Sequence, residues 1–298
     1  MGMEKAGHEC VGFCEFDRFA VASYTSMHLL TDEQRDYLMT LPLKQRQKEI
    51  LNEEYRNGEW FAADIRRVSA DDIPSADCWC FGFPCQDISV ANTTRRNGFQ
   101  GNRSSLFFRV MYLLGQVAEE KRPHTLLIEN VRNLLGINGG WDFARLLVEM
   151  DRGGYDAEWQ ILNSKHFGSA QNRERLFIVG HTGASKTRRV FPIEKTTDGV
   201  LKTIQCDTSG KGLKSQQERI YLPNGIMCCL PNARAESKCT TVIDGDIHIL
   251  TAKERFRLQG FSDEYINRAY FINRPKELAK QAGNSVTVNV VEEIAKRL

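Results

Sequence analysis

From residue 9 to about 182 the chain alternates short apolar runs with stretches whose apolar residues recur at helical spacing. This feature restricts the fold most, because strands alternating with helices build a largely parallel sheet covered by those helices. We read strands at "CVGFCEF" (10–16), "ADCWCFGF" (76–83), "TLLIEN" (125–130), "AEWQILN" (157–163) and "RLFIVGH" (175–181). Between them "DRFAVASYTSMHLL", "SLFFRVMYLLGQVAEEK" and "WDFARLLVEMDRGG" read as helices, the last closed by a Gly pair. A charged helical insertion at 31–58 precedes a short strand near Asp64. The expected fold class is α/β, a Rossmann-like doubly wound domain.

After residue 183 the texture turns to Gly, Ser, Thr, Lys and Pro with short β-like pieces such as "RIYLPNGIMCCL" and "CTTVIDGDIHIL". The expected organisation is a first domain at 1–192, a smaller β- and loop-rich domain at 193–275, and a returning helix at 276–298. In that helix Val286, Val288, Val291, Ile294 and Ala295 face the first domain. No apolar stretch approaches the roughly 18 residues of a membrane span. The start lacks the basic, apolar and cleavage elements of a secretory signal, so the nine cysteines are expected in a reducing cytoplasm. The pairs Cys10/Cys14, Cys78/Cys80 and Cys228/Cys229 lack zinc spacing and histidine partners, and no metal is expected. Net charge is only +2, but residues 183–240 hold ten Lys/Arg against five Asp/Glu, a local excess that attracts phosphates.

In a doubly wound sheet, ligands bind at the carboxyl ends of the strands. Cys85 follows one such end, Glu129 stands at another and Glu15 at a third, so three reactive side chains converge on one crevice. The long polar loop 86–105 after Cys85 is expected to act as a lid. With "GFPCQ" (82–86), "ENV" (129–131), "QNRERLFIVG" (171–180), "RLQGF" (257–261) and "GNSV" (283–286) in this order, the chain resembles the C5-cytosine DNA methyltransferases over nearly its whole length.

The resemblance implies a DNA (cytosine-5-)-methyltransferase with S-adenosylmethionine as methyl donor and the small domain as target-recognition domain. Cys85 would be the nucleophile, adding as a thiolate to C6 of a flipped cytosine so that C5 can take the methyl group. Glu129 would hydrogen-bond or protonate N3, Arg175 would reach the cytosine O2, and Arg173 would support this network or a phosphate. Glu15, Phe16, Asp64, Ile65, Pro84, Leu106, Asn284 and Ser285 would line the donor site, with "GNSV" opening the last helix and offering its amides to the donor's carboxylate. Arg95, Arg96, Arg103, Gln216 and Arg219 would contact double-stranded DNA.

The resemblance further implies a monomeric bacterial or phage enzyme of a restriction-modification system, with a cognate endonuclease as possible companion. Family members begin with a strand and a Phe-x-Gly-x-Gly-Gly loop that wraps the donor, for which this chain shows no counterpart; weak donor binding by this chain alone is therefore expected. Where relatives carry Thr-Leu followed by glycines, this chain has Cys229-Leu230 and "PNARAES". Three other readings remain open: a tRNA cytosine-5 methyltransferase, a non-catalytic DNA-binding remnant, and a thiol hydrolase using Cys85 with a histidine.

Overall fold

The computed structural model describes residues 1–84, 105–183, 189–196, 205–206, 220–231 and 239–298. A short helix, α1 (Gly2–Lys5), leads to β1 (Gly12–Cys14), which pairs in parallel with β2 (Trp60–Ala62). Between these strands run α2 (Arg18–Tyr24), α3 (Asp32–Met39) and α4 (Leu43–Glu49). The insertion at 31–58 is thus two helices. Thr31 and Gln34 start α3 with reciprocal caps, and Pro42, which lacks an N–H, separates it from α4.

The central sheet holds β3 (Cys78–Gly82), β4 (Thr125–Val131), β5 (Asp156–Asn163) and, after the two-residue β6 (Gln171–Asn172), β7 (Glu174–His181), in the order β3-β4-β7-β5. Helix α5 (Ser105–Gln116) crosses from β3 to its parallel neighbour β4, and α6 (Trp141–Arg152) leads to β5. Here the expected parallel arrangement is corrected: β7 runs antiparallel to both β4 and β5. The link from Asn163 to Glu174 contains no helix long enough to cross the sheet, so the chain turns back on itself.

Both faces of the inner strands are buried, which explains the continuous apolar runs "TLLI" and "LFIV". Leu126, Ile128, Leu176 and Ile178 pack with Phe107, Leu114, Leu146 and Met150 of α5 and α6. Leu127, Phe177 and Val179 point the other way, toward Val290 and Ile294. Among the described residues, neither the outer edge of β1 nor that of β3 carries a partner strand.

Beyond residue 200 a second sheet has the order β12-β11-β9-β8, from β8 (Gln205–Cys206), β9 (Ile220–Tyr221), β11 (Thr240–Ile243) and β12 (Asp246–Ile249). Asp244 and Gly245, both at positive φ, close the β11–β12 hairpin. Strand β10 (Met227–Cys228) leaves this sheet and pairs with β6. The β-rich texture expected across 193–275 ends at Ile249. Thr251 and Glu254 form a capping box that starts α7 (Ala252–Leu258), followed by α8 (Asp263–Tyr270). These helices share a core with Met27 of the first half and with Leu278 and Ala282 of α9 (Pro275–Asn284). Helix α10 (Val288–Ala295) buries Val288, Val290, Ile294 and Ala295, with Val290 in place of the expected Val291.

Candidate active site

Strand alternation puts Glu129 on the same face of β4 as Leu127, and Arg175 on the same face of β7 as Phe177. At this end of the strands the apolar layer gives way to an ion pair, Arg175 Nε to Glu129 Oε1, 3.0 Å long and shielded on most sides, with 18% and 23% of the side chains exposed. Gly82 lies opposite Glu129 in the β3–β4 ladder. A Cβ at residue 82 would stand 3.3 Å from the Glu129 carbonyl oxygen and 3.4 Å from Oε2, so glycine lets the "GFPC" turn pass close to the carboxylate. Asn130, 1% exposed, donates from Nδ2 to the Phe83 carbonyl at 3.1 Å and accepts from the Val131 N–H at 2.9 Å. The "ENV" stretch therefore presents the carboxylate and anchors the turn that leads to Cys85. Sequence reasoning assigned Asn130 nothing; its place beside Glu129 was the available signal.

Arg173 is 3% exposed. Its Nη2 donates to the carbonyls of Gly283 (3.2 Å) and Ser285 (2.8 Å), which binds the arginine strand to the "GNSV" stretch. Burial, and then the nearby Arg175 charge, push its pKa down from the usual arginine value. Gln259 of "RLQGF" extends the network: its Nε2 donates to the Ala282 carbonyl, while its Oε1 accepts from Thr287, whose hydroxyl lies 2.7 Å from that of Ser164. Ser164 N–H donates to the Arg173 carbonyl. Hydrogen bonds thus join Arg173 to Ser285 and Ser164 to Thr287, each pair more than 100 residues apart in sequence.

"GNSV" does not open the last helix, and that expectation is corrected. Asn284 is the final residue of α9 and Ser285 its cap, because the helix begun by Pro275 runs through "AKQAGN"; the Ser285 N–H is already bonded to the Gln281 carbonyl. Helix α10 starts only at Val288, after Thr287.

Around the ends of β1 and β2 a cleft of about 750 Å³ is lined by Phe16, Trp60, Phe61, Asp64, Arg66 and Val68, among others. Phe16 exposes 77% of its surface, leaving a ring face for a planar group. Glu15 is half-buried and accepts from the Asp17 N–H at 2.7 Å. Asp64 accepts from Arg66 Nε (2.9 Å) and Nη2 (2.7 Å), and this guanidinium lowers its pKa to about 2. The Ile65 carbonyl is taken by Arg109 Nε. Pro84 and Leu106, both half-buried, stand at either end of the segment that carries Cys85. Cys85 itself, Arg95, Arg96, Arg103, Gln216 and Arg219 lie outside the described residues.

A mixed sheet flanked by helices, with an acid–arginine pair at its strand ends and a cleft beside the first strands, defines an α/β methyltransferase. The family model for C-5 cytosine-specific DNA methylase matches residues 43–227 and 202–298, and the chain belongs to that family. It is 29% identical to the Type II methyltransferase M2.ScrFI of Lactococcus lactis subsp. cremoris over an alignment of 338 positions, covering 98% of this chain and 92% of that protein. It is 25% identical to M.HhaI of Haemophilus parahaemolyticus, covering 99% and 89%. Among solved structures, the Dnmt2 methyltransferase of S. pombe shares the fold with a TM-score of 0.63 at 16% identity, covering 99% of this chain and 94% of that one.

Proposed function

We propose that the chain transfers a methyl group from S-adenosylmethionine to C5 of a cytosine flipped out of double-stranded DNA, with Cys85 as covalent nucleophile. The observation that carries this reading is the Glu129–Arg175 pair beside the Gly82–Phe83 turn, three residues from Cys85. The Cys85 thiolate adds to C6, the S–C6 bond forms, and the C5=C6 electron pair becomes available at C5. Glu129 holds the exocyclic amine and supplies a proton at N3, while Arg175 steadies both Glu129 and the ring O2. The donor would supply an electrophilic sulfonium methyl, which C5 captures as the S–CH3 bond breaks and a neutral thioether leaves. The C5 proton then passes to water, the C5=C6 double bond re-forms, S–C6 breaks to return the thiolate, and the N3 proton goes back to Glu129.

The cleft at β1 and β2 suits an adenosine: Phe16 offers a stacking face and Glu15 a carboxylate for ribose hydroxyls. The β-rich part of segment 193–275, up to Ile249, serves as the recognition unit, its DNA contacts including Gln216 and Arg219. Arg95, Arg96 and Arg103 act on the DNA backbone or the orphan guanine, and the Type II relatives favour a restriction-modification role.

The test is transfer of labelled methyl to mixed-sequence DNA and, separately, to tRNA. DNA labelling that vanishes in Cys85→Ala and falls at least about a hundredfold in Glu129→Gln supports the proposal. Labelling of tRNA alone, or DNA binding without transfer at any donor concentration, contradicts it.

A further inference from the structure

Cys229 touches both site arginines. Arg173 Nη1 lies 3.3 Å and Arg175 Nη2 3.6 Å from its Sγ, while its own S–H is directed at the Leu230 carbonyl, 3.6 Å away. The thiol is thus oriented with its proton turned aside and its lone pairs toward two guanidinium groups. The β6–β10 pairing fixes this placement. Met227 and Cys228 pair with Gln171 and Asn172, and the Leu230 N–H donates to Gln171 Oε1 at 3.0 Å, so Cys229 is held on both sides against the arginine strand.

The arrangement meets an electrostatic need. Residues 173 and 175 bring two cations close together in a poorly solvated place, and the Arg175 charge disfavours that of Arg173. Glu129 pairs with Arg175, whereas among the described residues no carboxylate lies within ion-pair distance of Arg173, whose Nε is buried without a partner. A polarizable sulfur between them accepts from both and separates them.

We propose that Cys229 is a positioning residue: it spaces the two guanidinium groups so that Arg175 stays aligned on Glu129, and so makes the catalytic pair depend on seating of the 220–231 segment. This inference rests on the methyl-transfer reading for its effect on rate, but not for its effect on arginine geometry. It is tested with Cys229→Ala and Cys229→Ser, since a hydroxyl keeps one donor and two acceptor positions. In Cys229→Ala, kcat should fall about tenfold with the KM for S-adenosylmethionine unchanged, and Cys229→Ser should restore most of it. Nitrogen-15 NMR of the arginine side chains should show Arg175 guanidinium protons exchanging about tenfold faster in the alanine variant and close to wild type in the serine variant. Wild-type kcat and exchange in Cys229→Ala overturn the proposal, as does a serine variant as impaired as the alanine. If the wild type transfers no methyl group, the enzymatic reading fails while the exchange rates still decide the positioning.

Discussion

Asn130 is the residue whose removal should separate scaffold from chemistry. Asn130→Ala leaves Glu129 in place but removes the Asn130 hydrogen bonds to the Phe83 carbonyl and the Val131 N–H. It should cost about 1–3 kcal/mol in denaturant unfolding and lower activity by loosening the Cys85 turn; unchanged stability would contradict the anchoring role. Asp64 permits a second check at this scale. Arg66 holds its carboxyl near pH 2, so carbon-13 NMR should find it ionised throughout the range where ordinary aspartates titrate. In Arg66→Ala its pKa should rise toward the ordinary value of about 3.9. Glu129 and Arg175 were legible as motif residues, and the structure pairs them. Asn130 and Cys229 were not, because hydrogen bonding to a carbonyl or a guanidinium can be met by many side chains and shows only once the strands are paired.

Elements were legible where apolar periodicity was strong: α6 and β4 fall close to their expected spans. The reversal at β5–β7 was missed although the short link between them was visible in the sequence, because apolar runs reveal burial and not strand direction. The boundary at Asn284 was missed because an Asn-Ser pair suits either end of a helix. Helix α1 supports a prediction at this scale. Glu4 Oε1 lies 3.0 Å from His28 Nδ1, tying α1 to the end of the α2 segment. Burial lowers the His28 pKa against the opposing pull of Glu4, so the unfolded chain binds a proton more readily than the folded one as pH falls below the ordinary histidine value. Burial alone would raise the Glu4 pKa, but the terminal amine and His28 outweigh it and leave it lowered; its stabilisation is then lost as pH falls through that folded value. The His28 effect predicts a melting temperature that drops as pH falls below about 6.5, a drop that His28→Gln removes, and the Glu4 effect predicts a further drop below about pH 4.5. A flat profile in wild type would contradict the tie.

For the whole molecule, charge placement matters more than the net +2. The basic stretch at 183–240 predicts DNA affinity that falls steeply with salt. Arg219→Ala should weaken binding and reduce the slope of log affinity against log salt by about 1, whereas Gln216→Ala should change sequence preference and leave the slope intact. The change in texture after residue 183 was visible in the sequence. The return of α7 and α8 to the core beside Met27 was not, since it depends on contacts spanning more than 200 residues. Joined by the Gln259–Thr287–Ser164 network, those late helices belong to the frame that holds the arginine strand.

The most direct test of the central claim is covalent trapping on DNA carrying 5-fluorocytosine in the presence of S-adenosylmethionine, where the C5 fluorine blocks release of the enzyme. The account predicts a denaturation-resistant protein–DNA complex that requires donor, maps to Cys85 and is absent in Cys85→Ala. A complex that persists in Cys85→Ala, or no complex at all, would contradict it.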